Sequence, residues 1–477
     1  MTSCWRFGLA LLVFGNVSLS CIGTSDALAA ERQVFLYQDG GGALVHDYSN
    51  RWVEIVGSSE RFAFEEISRT ADMIELQDRT RDLGLQVGAT RGEIRLPRSK
   101  VWQPWQAGKW IEIEELPKSM MFVPTDQKIR LIYFVPVDRQ PITSYEQRIK
   151  VVMQVVADQY RSELKVKGYD SDGFQLELDE KQEPIIHLVK SKSTAQYYNG
   201  APTYDLIQHY QRVQSDIPPD VGTPRRHMFV IFAETYDPGP APIEWNGSIG
   251  RGGHLSADGG LAIMSAWILR EELCANTYAA QKKLMQDKTP IAGRAAFGSN
   301  QPNAPRYKLI EDGFGAVVHE LGHALGLPHD YRQPHDFMGH GFRSLHLNYL
   351  TASTMQRVTF SRENARLLGV SRYLMPNLDL TDNTLPAAEV KLELVKRKQS
   401  TLSISMTAKD DRGLRAVVFH DVQRDSVIGG AELTGREQIV DLKLPLDNQK
   451  PGKFTLNTLV ADDAGNIATI TTILAVP

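Results

Sequence analysis

Between residues 31 and 125, apolar and polar residues alternate in short runs: Val34–Tyr37, Trp52–Val56, Met73–Leu76 and Trp110–Glu114. Glycine-rich breaks such as Gly40-Gly41-Gly42 separate them. Alternation with period two marks strands with one buried face, so this stretch predicts a small β-rich domain. From about residue 126 the period changes. Ile129–Val137 is a continuous apolar run that predicts a buried strand. Ser144 and Gln147 have the spacing of a capping box, after which Ile149, Val152, Met153, Val156 and Tyr160 recur at helical spacing. Phe174–Leu178, Met228–Ala233 and Leu261–Ala266 predict further strands, and Trp267–Asp287 a second long helix. The polar stretch 190–226, with Pro218-Pro219, predicts loops around a short helix. This order of elements implies an α/β or α+β unit.

Residues 385–477 differ again. Val390–Lys396, Thr401–Ala408, Leu414–Asp421, Gln438–Leu444, Phe454–Ala461 and Ile467–Ala475 are short β-type runs. Asp410-Asp411-Arg412-Gly413 and Asp462-Asp463-Ala464-Gly465-Asn466 are turn signals between them, and turn chemistry explains these aspartates more simply than a calcium site. The spacing predicts a β-sandwich, immunoglobulin-like in general style. At the other end, Arg6, the apolar run Phe7–Leu19 and the small residues of Ala27-Leu28-Ala29 read as a secretory signal. The run is shorter than the roughly 20 residues a spanning helix needs. The division expected is therefore a signal peptide over 1–29, a β-rich domain over 31–125, a central domain over 126–378 and a sandwich over 385–477.

Composition adds limits. At 477 residues the chain fits about three domains of roughly 150 residues. A net charge of −4 gives no broad basic face, so nucleic-acid binding has no support. Of three cysteines, Cys4 and Cys21 leave with the signal, and Cys274 alone cannot form an internal disulfide. Its place in the second predicted helix fits a buried thiol. Four of the seven tryptophans (Trp52, Trp102, Trp105 and Trp110) lie in the first β-rich stretch, where core packing is a commoner use than gripping a polysaccharide. Nothing after the signal is long and apolar enough to span a membrane.

The chemistry concentrates in one window. Six of the twelve histidines lie between 319 and 346, beginning with His319-Glu320-Leu321-Gly322-His323-Ala324-Leu325-Gly326-Leu327-Pro328-His329. Ile310, Phe314, Val317, Val318, Leu321 and Leu325 stand at helical spacing, so His319 and His323 project from one helix face and can share a metal. Glu320 is beside them. Gly326 can stop the helix and turn the chain so that His329 becomes a third ligand. Three neutral imidazoles leave one position of a tetrahedral zinc ion open for water, which Glu320 would deprotonate before passing the proton to a departing amine. With this composition, a chance motif with both the glycine and the third histidine is expected in roughly one such chain in thirty thousand.

These residues resemble the metzincin zinc metalloproteases, whose long histidine motif is followed by a methionine turn. His335-Asp336-Phe337-Met338-Gly339 supplies the match to that turn, with Met338 as the methionine. Asp330, directly after the third histidine, resembles the reprolysin and snapalysin branches, although the disulfides of the reprolysins are missing. The resemblance implies a multidomain fold: an α+β metzincin-like catalytic domain, with a twisted mixed sheet and an active-site helix. It would be flanked by the small β-rich domain and the immunoglobulin-like sandwich. It implies a secreted or periplasmic zinc endopeptidase acting on proteins or peptides, with a zinc-bound water activated by Glu320. Astacins and serralysins carry a zinc-approaching tyrosine two residues after the methionine. Here His340 stands at that place, as a possible transition-state donor or as a plain loop histidine, with Tyr349 as another possible donor. Residues 31–125 are expected to be a pro-domain or an accessory domain. The tail is expected to be a spacer or binding module whose removal spares hydrolysis of a short peptide. A non-catalytic zinc-containing adhesion or matrix protein, and a zinc hydrolase of non-peptide amides, are the alternatives. Oligomeric state is not legible.

Overall fold

The computed structural model describes residues 32–476 except 49–50, 57–58, 79–80, 118–119, 121–126, 200–205, 219–220, 223, 225–226, 237–248, 257–258, 298–301, 351–356, 383, 396–400 and 446–451. The signal-like segment lies outside the described residues.

The expected fold class needs correction at the first element. In place of a small β-rich flank to a metzincin-like α+β domain, the chain opens with a closed eight-stranded antiparallel barrel. Its strands are β1 (Val34–Tyr37), β2 (Gly42–Tyr48), β3 (Arg51–Val56), β4 (Ser59–Arg69), β5 (Ile74–Asp78), β6 (Leu83–Val87), β7 (Arg91–Arg95) and β8 (Trp102–Ile111). The barrel closes where β1 pairs with β8, with Phe35 opposite Trp110. Of the strands not expected from sequence, β2 and β6 hold short apolar runs (Ala43-Leu44-Val45; Leu83, Leu85 and Val87), whereas β7 reads Arg-Gly-Glu-Ile-Arg and offers a single large apolar residue to an alternation count. Closure satisfies every edge, so such strands need little hydrophobicity of their own. Trp52 is fully buried inside, Trp105 and Trp110 pack against the same core, and the Trp52 indole N–H donates to Glu66 at 2.8 Å.

A mixed five-stranded sheet follows, in the order β10-β9-β11-β13-β12. These strands are β9 (Ile129–Val135), β10 (Ile186–Lys190), β11 (Met228–Ala233), β12 (Gly250–Ser256) and β13 (Gly259–Ser265). β11 and β13 are buried at every position because both faces of the sheet are covered. Only β12, at one end, runs antiparallel to its neighbour. Among the described residues the α-helices are α1 (Tyr145–Val166), α2 (Ala195–Asn199), α3 (Leu206–Ser215), α4 (Tyr278–Leu284), α5 (Arg306–Ala324) and α6 (Arg362–Leu368).

Three local expectations fail. The strand expected over Phe174–Leu178 is reduced to isolated bridges, Leu176 to Ile129 and Leu178 to Pro184. Ser144 precedes α1 in the left-handed region (φ 60°) with no side-chain cap bond, so the capping box is not formed. The long helix expected over 267–287 is a 3-10 turn at Ala266–Leu269, a break and the short α4, with Cys274 buried in the break. Burial pushes its thiol up to about 12.

The last strands are β14 (Ala387–Val395), β15 (Thr401–Lys409), β16 (Leu414–Asp421), β17 (Ser426–Glu432), β18 (Glu437–Pro445), β19 (Gly452–Asp462) and β20 (Ile467–Val476). They form a three-stranded sheet, β14-β15-β18, and a four-stranded sheet, β17-β16-β19-β20. Strand β17 was not expected from sequence. Along β16, Val417 and Phe419 face the core shared by the two sheets, while Ala416 and Val418 join the core containing Phe314, Val317, Val318 and Leu321 of α5. Strand β16 is therefore covered on both faces. That explains the unbroken apolar run Ala416-Val417-Val418-Phe419.

Candidate metal centre

Helix α5 buries Leu309, Ile310, Phe314, Val317, Val318 and Leu321, which fixes the rotation of the helix and places His319 and His323 together. Its end is a Schellman closure. Leu327 N–H donates to the Gly322 carbonyl at 2.9 Å, and Gly326 N–H to the His323 carbonyl at 3.0 Å. Gly326 sits at φ 88°, a conformation in which a Cβ would be strained. The chain then returns, and His329 reaches the two helix histidines.

The three Nε2 atoms converge. His323 Nε2 lies 3.1 Å from His319 Nε2 and 3.0 Å from His329 Nε2. Each Nδ1 faces an oxygen: the Phe337 carbonyl at 2.7 Å from His319, the Leu327 carbonyl at 2.9 Å from His323, and an Asp425 carboxylate oxygen at 2.6 Å from His329. A carbonyl only accepts, so these Nδ1 atoms carry the protons and each Nε2 turns a lone pair inward. Burial, reinforced by the neighbouring His329, pushes His319 down to about 3, and burial with both neighbours holds His323 well below its ordinary value. Three inward lone pairs at this spacing repel unless a cation lies between them. Nitrogens bound at about 2.0–2.1 Å to one tetrahedral zinc would be roughly 3.3 Å apart, so the donor set fits such an ion.

Glu320 lies alongside. Its Oε2 accepts the Gly252 N–H from β12 at 2.5 Å. A Cβ at Gly252 would fall 1.8 Å from the Glu320 carbonyl oxygen, so glycine is needed for strand and helix to approach this closely. Burial pushes the Glu320 carboxyl up to about 7, while the Gly252 amide, His329 and Arg251 draw it down.

Met338 is fully buried, and a Cβ at Gly322 would come within 2.4 Å of its sulfur, so the thioether packs directly against the helix between the two histidines. Its segment is tied in by Met338 N–H to Asp336 Oδ1 at 2.7 Å and by Asp330 N–H to the Met338 carbonyl at 3.0 Å. The Asp330 carboxylate is buried and held in a two-pronged bond by Arg332, at 2.9 and 2.6 Å.

His340 is exposed, and its ring packs on Tyr331 at 4.9 Å; Tyr331 in turn stacks on His329 at 5.2 Å. Tyr331 therefore touches both His340 and the third histidine, and His340 is close enough to the cluster for its charge to act on His319. Tyr349 is elsewhere, its hydroxyl accepting from Gln159 at 3.0 Å. Sequence reading did not single out Gly252, Tyr331 or Asp425. The glycine-rich Gly250-Arg251-Gly252-Gly253 was a visible signal, but nothing local marks Asp425. The turn aspartates act as turn residues: Asp410 Oδ1 accepts from Arg412 and Gly413 N–H at 2.8 and 2.7 Å.

Residues 281–399, which contain the histidine cluster, match the model of a family described as "Putative peptidase family". With the histidine triad, that match supports a metal-dependent peptidase. No curated protein matches the chain. Among solved structures, the chain is similar to catalytically inactive OgpA from Akkermansia muciniphila in complex with an O-glycopeptide (glycodrosocin) substrate. The identity is 15%, the TM-score is 0.50, and the match covers 74% of this chain and 96% of that one. Wild-type OgpA matches at 16% identity and a TM-score of 0.48, over 73% of this chain and 93% of that one. At this identity the likeness is one of fold. Among the described residues, no helix is long and apolar enough to cross a membrane.

Proposed function

We propose that the protein is an exported zinc endopeptidase with a metzincin-type histidine motif, in which His319, His323 and His329 bind zinc and Glu320 carries the proton. The observation that supports this most is the convergence of three Nε2 atoms, each imidazole oriented through Nδ1, beside a carboxylate. Zinc, when bound there, supplies a Lewis acid that polarises a carbonyl and acidifies water. Glu320, held by the Gly252 amide, takes the proton of the attacking water and delivers it to the amine that leaves. Strand β12 ends the sheet next to Glu320, so an extended peptide laid along it passes in front of the histidines. Met338 gives the helix an apolar floor, and Gly326 turns the chain toward His329. Export rests on the pattern of the first 29 residues, and residues 31–125 are an accessory or latency-conferring unit.

Dialysis against a chelator should abolish hydrolysis of a quenched fluorescent peptide by the full chain, and stoichiometric zinc should restore it. Hydrolysis that persists after the metal is removed contradicts the proposal. Zinc uptake without hydrolysis of any peptide in a diverse library favours a non-catalytic protein or a hydrolase of other amides.

A further inference from the structure

We infer that Asp425, in the turn between β16 and β17, is a positioning residue of the metal centre: it fixes the His329 imidazole and makes the C-terminal sheets part of that centre. The inference rests on the three-histidine reading. His319 and His323 orient their rings on carbonyls supplied within residues 319–337, whereas His329 has Asp425, 96 residues along the chain, 2.6 Å from its Nδ1.

The turn is built to hold that carboxylate. Asp421 is fully buried, and its Oδ1 accepts from the amides of Gln423 and Arg424 at 3.0 and 3.1 Å, so the turn needs no capping from Asp425. The turn is pinned from outside by Val422 N–H to the Thr455 carbonyl at 3.1 Å and by Gln423 Oε1, which accepts from Thr455 N–H at 2.9 Å. Asp425 itself is left-handed at φ 48°, a conformation that aspartate adopts more readily than most residues, and both of its carboxylate oxygens lie against histidine rings. Its second oxygen, Oδ1, lies 3.1 Å from His420 Nε2, which fixes the carboxylate plane.

The backbones are joined as well. Val427 N–H donates to the His329 carbonyl at 2.8 Å, and Tyr331 N–H donates to Ser426 Oγ at 3.0 Å. The segment carrying the third ligand therefore runs along the start of β17, and the ring and main chain of His329 are set by one hairpin. A carboxylate on the far nitrogen of a ligand imidazole fixes the tautomer and raises the basicity of the donor atom.

The test is the zinc dissociation constant of the full chain, measured by competition with a chromophoric chelator, for wild type, Asp425→Ala, Asp425→Asn and His420→Ala. Asp425→Ala should bind zinc about 10–100-fold more weakly. Asp425→Asn, whose amide oxygen still accepts the Nδ1 proton, should lose less, and His420→Ala less again. The visible spectrum of the cobalt(II)-loaded Asp425→Ala chain should shift, while the zinc-free variant keeps the wild-type circular dichroism. Wild-type zinc affinity and cobalt spectrum in Asp425→Ala overturn the inference. If that variant does not fold, Asp425→Asn decides: weaker zinc binding supports the inference, and unchanged binding overturns it. A wild-type chain that takes up no zinc contradicts the three-histidine reading itself, an outcome distinct from wild-type and variant binding zinc equally.

Discussion

At the scale of single residues, Gly252 does two things at once: its amide holds the Glu320 carboxylate, and its missing side chain lets β12 meet α5. Gly252→Ala should force the strand back, costing about 1–3 kcal/mol of stability. Turnover should fall at least about tenfold while the chain keeps its zinc, because the histidines are anchored elsewhere. Metal analysis beside peptide kinetics checks this, and unchanged turnover would remove Gly252 from the site. His340 is expected to matter less. Its ring is exposed and rests on Tyr331, so His340→Ala should retain zinc and change turnover by less than about threefold. A tenfold fall with zinc retained would instead mark it as a donor in the transition state. The site was legible to the extent that it is local. His319, Glu320, His323 and His329 lie within one short window whose spacing carries the chemistry, whereas Gly252 and Asp425 reach it only through the fold.

At the scale of elements, dense apolar runs are legible and short ones are not. β1, β11 and β16 were read with their observed bounds because their apolar residues form dense runs. β7 is dominated by charge and the apolar run of β17 is cut by Gly429-Gly430, while β2, β6 and β10 escape a sequence reading although they carry apolar residues, because their runs are short. The capping box before α1 failed for another reason: Ser144 is left-handed, so its side chain cannot reach the helix amides, a backbone state that residue types do not announce. The barrel's buried side chains share no member with the core around α5, which implies separability. A chain beginning at Thr125 should therefore fold, bind zinc and hydrolyse a short peptide at close to the full-length rate if the barrel is an accessory unit. A clear rise in specific activity would identify residues 31–125 as conferring latency, and loss of the fold would contradict the separability argued here.

At the scale of the whole molecule, the two ends behave differently. Ala416, Val418, Val427, Leu459 and Ala461 from the last strands belong to the same core as helix α5. The buried Arg372 donates to the Ala464 carbonyl at 2.9 Å and to Asn466 Oδ1 at 2.5 Å. This shared core speaks against the expectation that removing the tail, as a spacer or binding module, spares hydrolysis of a short peptide. A chain ending near residue 384 should expose this apolar surface, melt at a lower temperature and lose zinc and short-peptide turnover together, as thermal unfolding and metal analysis would register. Retention of both by a folded truncation would return the tail to the role of an appendage. The unbroken apolar runs Ala416–Phe419 of β16 and Leu459–Ala461 of β19 are sequence signals that these strands are covered on both faces. A run of that length predicts a strand but does not say what lies on its second face.

The central claim, that three histidines hold zinc while Glu320 moves the proton, is tested most directly by zinc content and peptide turnover measured on the same preparation of Glu320→Ala. The claim predicts about one zinc per chain, as in the wild type, with turnover reduced at least roughly 100-fold. Hydrolysis at the wild-type rate by a zinc-loaded Glu320→Ala chain would contradict it.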